Sequence, residues 1–274
     1  MTFVEDPYSG LQFLELSHVW GHGVPSYPGQ ADVKMHRAVK HAEHGVLAWK
    51  CNTVLHTGTH MNAPINMIQR GADLSEIPVD RFFGNGVVLS VPKGSYEVIT
   101  AQDLEAALPG VQQGDIVVIV TGWHRNYSDS MEYFGESPGL GKDAAQWLVN
   151  KNCRMVAVDT PQIDHPLATI LGPHRGGPTM KRLASGYKKA TGLDPKQEHG
   201  EWNIAHKTLL GAGIPTIEQV GGDVDLLLGR RATFAATPWK LKNGDACPVR
   251  FVAMMDPSGN CRIDSGNECE KGTI

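Results

Sequence analysis

The feature that most constrains the fold of this chain is a series of short apolar runs separated by turn sequences. Six runs have the length and the β-branched content that are typical of strands, and they span residues 11–19, 46–56, 86–91, 115–120, 155–159 and 249–255. Turn sequences such as Tyr27-Pro28-Gly29 and Lys242-Asn243-Gly244-Asp245 interrupt the chain between them. A chain with this pattern is expected to contain more sheet than helix.

Helical patterns are fewer. Apolar residues recur at helical spacing in residues 100–107, 141–150 and 203–210. Thr100 is a plausible cap for the first helix, and the third is expected to end at Gly211 or Gly213, with Glu218 in the loop beyond it. Strands and helices do not alternate regularly, which argues against a doubly wound sheet or a (β/α)₈ barrel. The pattern predicts a sheet-rich α/β fold in one domain, residues 1–274.

The stretch at about 164–202 is rich in glycine and proline and shows no clear periodicity. A segment of this length without periodicity is usually a functional loop or a disordered one. We interpret it as a loop insertion that forms a lid over the site or an oligomer contact. The alternative is a mobile surface insertion, and a lone histidine within it, such as His165, is expected to be solvated.

Composition excludes several classes of function. The chain has 274 residues, of which 41% are hydrophobic, and this is enough for one large domain. Its net charge is −4 and it has no block of like charges, which argues against binding to nucleic acid or to anionic membranes. No apolar run approaches the length of a membrane span, the first residues do not resemble a signal peptide, and the cysteines form no C-x-x-C pair. We therefore expect a cytoplasmic protein with a small-molecule substrate.

The richest chemistry lies in the segment that runs from His56 to Asn66. His56 and His60 are four residues apart, and Asn62 follows two positions later. Imidazole nitrogens suit Zn, Mn or Fe, and an amide oxygen can add a ligand. Gly58 tolerates backbone angles that other residues avoid, so the short loop can turn these side chains inward. The alternative interpretation is a turn with two surface histidines.

This segment resembles the H-x-G-T-H-x-D-x-P-x-H signature of the cyclase family, metal-dependent hydrolases that include bacterial kynurenine formamidase and isatin hydrolase. The segment from His206 to Glu218 resembles a second family motif, in which a His and, twelve positions later, a Glu or Gln lie near the metal. Further similarities lie at 120–123, 138–140, 158–164, 230–234 and 248–250. The resemblance extends from about Leu16 to Met255, and it implies the family's swivelling β/β/α domain, a divalent metal and a homodimer or homotetramer.

Two departures from the signature affect chemistry. Asn62 stands where the family usually has Asp, so it is a weak, neutral oxygen ligand beside His56 and His60. Because Glu218 is the only evident carboxylate, we favour one Zn or Mn ion over two.

Asn66 stands where the family has the last His of the signature, which is thought to move protons. An amide is not a useful base near neutral pH, and loss of a general acid or base typically costs about 10²–10⁴ in rate. Glu218, with His206 beside it, is the best candidate for that catalytic role. Otherwise the chain is a weakened enzyme, or a sequence altered deliberately to trap a ligand.

Aromatic residues are candidates for the walls of a substrate pocket. Trp20, Trp49, Trp123 and Phe83 could bind a planar or cyclic substrate, although ordinary packing is the alternative for each. The resemblance implies a metal-dependent hydrolase. The longer chain and its loop insertion look more like the isatin-hydrolase side of the family, and they favour a substrate that is a cyclic amide, such as a lactam or an isatin-like ring. The alternatives are an arylformamidase acting on N-formylkynurenine and a catalytically weakened or non-catalytic member that binds a ligand.

Overall fold

The computed structural model describes residues 3–172 and 178–259. The strands are β1 (Val4–Glu5), β2 (Gln12–Glu15), β3 (Lys34–Val39), β4 (Ala48–Asn52), β5 (His60–Asn62), β6 (Phe83–Ser90), β7 (Val98–Ile99), β8 (Ile116–Val120), β9 (Gly139–Leu140), β10 (Met155–Val158), β11 (Thr216–Glu218), β12 (Arg230–Ala236), β13 (Ala246–Pro248) and β14 (Phe251–Met255). The α-helices are α1 (His41–His44), α2 (Ala101–Ala106), α3 (Met131–Gly135), α4 (Lys142–Asn150), α5 (Pro178–Thr191), α6 (Pro195–Glu198) and α7 (Ile204–Gly211). Short 3₁₀ turns cover Pro64–Asn66, Val79–Phe82, Trp123–Asn126, Pro166–Ala168 and Val224–Leu227.

One large sheet organises the described chain. Its ten strands follow the order β1-β2-β14-β12-β6-β8-β10-β11-β5-β13. Strands β6, β8, β10 and β11 run parallel to one another in the middle of the sheet. The strands on either side of these four pair with them in antiparallel orientation. All five residues of β8 are buried, which explains why its sequence is a continuous apolar run. The predicted sheet-rich α/β fold is confirmed.

Side chains along the central strands point alternately to the two faces of the sheet, so the core has two layers. Ile116, Val118 and Val120 belong to a layer that also contains Met61 and Ile217. Val117 and Ile119, which point to the opposite face, pack in a second layer with apolar residues of α4 and α7. The second layer therefore fixes α7, the helix that carries His206, against the sheet.

A glycine in β6 permits the close approach of β8. A Cβ atom on Gly86 would lie 1.9 Å from the carbonyl oxygen of Ile116, so the strands would have to separate. We expect Gly86→Ala to lower the free energy of unfolding by about 1–3 kcal/mol or more, measured by urea denaturation. Gly110→Ala is the control, because no heavy atom lies within 4 Å of its Cβ position. Equal stabilities of the two variants would contradict this packing.

The prediction that residues 164–202 form a loop is wrong, because part of this stretch is helical. Within the described residues, α5 and α6 occupy much of this stretch; residues 173–177 lie outside the description. Leu183 and Tyr187 lie four residues apart on α5 and are buried in a cluster with Phe134 and Leu171. This helical spacing was present in the sequence but was obscured by the surrounding glycines and prolines. No helix in the described stretches is long and apolar enough to cross a membrane.

His165, which we expected to be solvated, is buried within this stretch. Its ring stacks on that of His199 with centroids 3.9 Å apart, and Tyr187 packs edge-on against both rings. Its Nδ1 accepts a hydrogen bond from the Leu167 N–H, and its Nε2 donates to the carbonyl oxygen of Tyr96 at 3.1 Å. Burial, together with the neighbouring His199, lowers the pKa of His165 to about 3.

This pKa shift predicts a stability that falls with acidification. The unfolded chain binds a proton at His165 below about pH 6.5, whereas the folded chain does so only near pH 3. Between these values the unfolded state binds more protons. As the pH falls, this histidine therefore lowers the free energy of unfolding by about 1.4 kcal/mol per pH unit. His165→Gln is expected to flatten that dependence in urea titrations between pH 6.5 and 4. His41→Gln, at an exposed position, is the control, and identical slopes for the two variants would refute the assignment.

Candidate metal centre

Strand register brings the two predicted motifs together. Strand β5 lies between β11 and β13, and its antiparallel pairing with β11 sets His60 opposite Glu218 and Asn62 opposite Thr216. Side chains of directly opposed residues lie on the same face of a sheet. Accordingly, His60 Nε2 is 3.0 Å from Glu218 Oε2. Glu218 is thus the last residue of a strand, and not, as predicted, part of a loop, because Thr216 and Ile217 pair with β10 as well.

A cavity of about 170 Å³ lies over this strand pair. All six of the polar residues that were predicted to hold the metal or act in catalysis line it: His56, His60, Asn62, Asn66, His206 and Glu218. The other lining residues, which the sequence did not suggest, are Tyr27, Gln30, Met67, Pro161, Gln162, Thr169, Ile170, Asn203 and Gln219.

The carboxylate of Glu218 is the anionic centre of the cavity. It accepts hydrogen bonds from the Ile163 N–H at 2.8 Å, and its Oε1 is 2.9 Å from His206 Nε2. Burial alone would raise the pKa of Glu218, but His206 lowers it well below its usual value. Glu218 is therefore an ionised carboxylate that is almost fully buried.

A carboxylate from another part of the chain orients His206, which lies on helix α7. Asp164 accepts from the backbone N–H groups of Ala205 at 2.7 Å and His206 at 3.2 Å, and it contacts His206 Nδ1 at 2.6 Å. A negative charge at a helix N-terminus is stabilising, so Asp164 fixes both the helix and the ring. Burial would lower the pKa of His206, but Glu218 and Asp164 raise it. Asp164 lies in a motif that we identified, but nothing local in the sequence indicated its partner.

The signature loop has the unusual backbone that its glycine predicts. Gly58 has a φ of +60°, and a Cβ atom there would lie 2.8 Å from Trp20 Cδ1. Trp20 also donates its indole N–H to Thr57 Oγ1 at 3.2 Å. The carbonyl oxygen of Gly58 lies 2.8 Å from His60 Nδ1 and accepts its hydrogen. As a result, His60 directs the lone pair of Nε2 into the cavity.

A second carboxylate, Asp245, lies beside the signature. Its Oδ2 is 2.8 Å from His56 Nε2 and 3.5 Å from Asn66 Nδ2. The hydrogen bond to His56 is the main reason that the pKa of Asp245 falls to about 2. Glu218 is therefore not the only carboxylate near the predicted ligands. The sequence showed Asp245 only as part of a turn, because its neighbour in space is 189 residues away along the chain.

The donor chemistry fits a divalent cation. His60 Nε2 and Asn62 Oδ1 are both buried without a hydrogen-bond partner, since the Nε2 contact with Glu218 lies off the hydrogen-bond direction. Three histidines each have one ring nitrogen held by an oxygen acceptor: His56 by Asp245, His60 by Gly58 and His206 by Asp164. Metal-ligating histidines are usually held in this way. Even so, no three His, Cys, Asp or Glu side chains in residues 3–172 and 178–259 already form a group that could hold a metal.

The four predicted substrate-binding aromatics do not line this cavity. Trp20 lies in a separate groove. Trp49 is 49% exposed on the two-stranded sheet β3-β4, and Phe83 is 40% exposed at the start of β6. Trp123 is buried in an aromatic cluster with Tyr133. Packing and exposure, rather than contact with a ligand in the cavity, account for their positions, and Tyr27 is the aromatic residue that does line it.

Comparison with known proteins identifies the family. A family model described as putative cyclase matches residues 14–165, more than half of the chain. This chain belongs to the cyclase family. Kynurenine formamidase of Bacillus cereus is 25% identical over 249 residues, which cover 88% of this chain and 96% of that protein.

Solved structures of similar proteins share the fold of this cyclase-family chain. Isatin hydrolase A from Ralstonia solanacearum matches with a TM-score of 0.69 at 19% identity, covering 90% of this chain and 92% of that chain. A potential metal-dependent hydrolase with cyclase activity matches with a TM-score of 0.64 at 22% identity, covering 90% and 100%. The family and the fold that the sequence resemblance implied are thereby confirmed.

Proposed function

We propose that this chain is a metal-dependent hydrolase that cleaves an amide carbon–nitrogen bond, with a small cyclic amide such as a lactam or an isatin-like ring as its substrate. The observation that carries the proposal is the cavity that the signature side chains His56 and His60 line together with Glu218. Relatives described as kynurenine formamidase and isatin hydrolase support hydrolysis of an amide.

One Zn or Mn ion would be held by His56 and His60, with Asn62 as a weak oxygen ligand, and Glu218 and His206 would orient the attacking water beside it. When bound, such an ion polarises a carbonyl group and lowers the pKa of water. Glu218 accepts a hydrogen bond from the Ile163 N–H, and Asp164 contacts the ring of His206, so neither group is free to rotate away from the cavity.

The lining favours an amide over an ester. Gln219 Oε1 is buried without a hydrogen-bond partner, so it can accept the N–H of a substrate amide, a donor that an ester lacks. The cavity of about 170 Å³ is smaller than the roughly 300–1,000 Å³ that is typical of sites for drug-sized ligands. A compact ring therefore suits it better than a long substrate.

Proton transfer falls to Glu218 and His206, because Asn66 cannot act as a base. Their facing atoms, Oε1 and Nε2, are 2.9 Å apart, so a proton can be taken up at one and returned from the other. In hydrolysis the oxygen of water bonds to the carbonyl carbon and the carbon–nitrogen bond breaks. The proton lost by the water passes to the leaving nitrogen, giving a carboxylic acid and an amine. The acid then ionises to the carboxylate, and its proton goes to the amine or to solvent.

An arylformamidase acting on N-formylkynurenine is the second candidate. It is favoured by the kynurenine formamidase of Bacillus cereus, which aligns with 88% of this chain. Asn66 favours a third candidate, a weakened or non-catalytic member that binds a ligand. Under each of these we propose a cytoplasmic homodimer or homotetramer.

A substrate panel separates the candidates. We expect the Mn-loaded or Zn-loaded protein to open isatin or a bicyclic γ-lactam with a higher kcat/KM than it shows for N-formylkynurenine. The reverse order would assign the chain to the formamidases. Tight binding of these compounds without turnover would favour the non-catalytic candidate.

A further inference from the structure

The pairing of β13 with β5 places Asp245 beside the signature segment that runs from His56 to Asn66. Asp245 immediately precedes β13, whose pairing with β5 sets Ala246 opposite Asn62. Its carbonyl oxygen accepts the backbone N–H of Ala63 at 2.9 Å, so its backbone is fixed beside the signature. Because β5 lies between β11 and β13, Glu218 and Asp245 approach the signature from opposite sides.

The side chain of Asp245 determines which nitrogen of His56 is available. Ionised carboxylates only accept hydrogen bonds, so His56 Nε2, 2.8 Å from Asp245 Oδ2, carries the hydrogen. Its Nδ1 is then the nitrogen that retains a lone pair. The amide nitrogen of Asn66 lies 3.3 Å from the same Nε2 and 3.5 Å from the same Oδ2.

We propose that Asp245 is the positioning residue of this metal site: it orients His56 and supplies next to it the negative charge that Asn62 does not provide. The inference rests on the proposed function, since it concerns the same site. Asp164 holds His206 in the same way, from a separate segment of the chain. Loss of such a carboxylate partner typically costs about 10–100-fold in metal affinity.

Metal affinity tests the proposal without relying on turnover. Calorimetric titration of the metal-free protein with Mn²⁺ is expected to give a dissociation constant about 10–100-fold higher for Asp245→Ala than for the unsubstituted chain. Asp245→Asn is expected to lie between them, because an amide oxygen still accepts the N–H but carries no charge. Asp225→Ala is a matched control: Asp225 and Asp245 are both 45% exposed at the side chain, and Asp225 also contacts a histidine, His124, away from the cavity.

The control is expected to change the dissociation constant by less than twofold. If Asp245→Ala and Asp225→Ala bind Mn²⁺ equally well, the proposal is overturned, as it is if the unsubstituted chain binds neither Mn²⁺ nor Zn²⁺. Thermal unfolding of the metal-free variants separates weakened binding from a loss of folding, and Asp245→Asn, which retains the side-chain volume, serves if Asp245→Ala does not fold. Amide hydrolysis is measured separately, so an inactive chain with Asp245-dependent binding would refute the proposed function and leave this inference intact.

Discussion

Replacing Glu218 with Gln is expected to lower kcat/KM for amide hydrolysis by about 10²–10⁴. The substitution preserves shape but removes the carboxylate that lies between His60 and His206. The cavity would lose its central negative charge and the group that exchanges a proton with His206. Rates should be measured at saturating Mn²⁺ or Zn²⁺, so that weaker metal binding is not mistaken for slower chemistry.

Glu201→Gln is the control for this prediction, because Glu201 is an exposed carboxylate that pairs with Lys142 on the surface. Its kcat/KM is expected to equal that of the unsubstituted chain. If the Glu218→Gln variant is folded and loaded with metal and keeps its activity within threefold of the unsubstituted chain, Glu218 has no catalytic role.

Asn66→His is expected to raise turnover of the same substrate by about 10²–10⁴. The change restores an imidazole at the position where the family signature has its last histidine, within the cavity lining. Asp245 Oδ2 lies 3.5 Å from the present amide nitrogen, near enough to orient the new ring. The gain should appear in kcat, since proton transfer belongs to the chemical step, and should depend on pH with a limb near neutrality.

Gln30→His provides the comparison, because it places an imidazole elsewhere in the lining of the same cavity. It is expected to leave kcat within a few-fold of the unsubstituted chain. Equal kcat values for Asn66→His and the unsubstituted chain would mean that Asn66 does not limit turnover. In that case the Glu218 and His206 pair already performs proton transfer at full rate.

Local sequence was sufficient for much of the fold. The run at 115–120 is β8, and the predicted helix at 203–210 is α7, Ile204–Gly211. The strand is specified by a continuous apolar run and the helix by apolar residues at helical spacing, and both signals lie in neighbouring residues. The signature histidines and Glu218 could be grouped because their motifs are compact in sequence, and the register of β5 against β11 then set them face to face.

The remaining features depend on contacts between distant parts of the chain. Asp245 reaches His56 only because β13 pairs with β5, and no local pattern specifies that pairing. Helix α5 is amphipathic through Leu183 and Tyr187, but its glycine-rich surroundings masked the signal. Trp49 is exposed on an outlying pair of strands, a position that residue type alone does not reveal. Whether a residue can contact a ligand depends on its neighbours in space, and the sequence alone does not show them.

The most direct test of the account is amide hydrolysis before and after metal removal. Purified protein is treated with a chelator, dialysed and assayed on isatin, a bicyclic γ-lactam and N-formylkynurenine, with and without added Mn²⁺ or Zn²⁺, beside His60→Ala. We predict that hydrolysis of at least one amide disappears on chelation, returns with one metal ion per chain and is absent from the variant. Hydrolysis that survives complete metal removal, or that His60→Ala retains in full, would contradict the central claim.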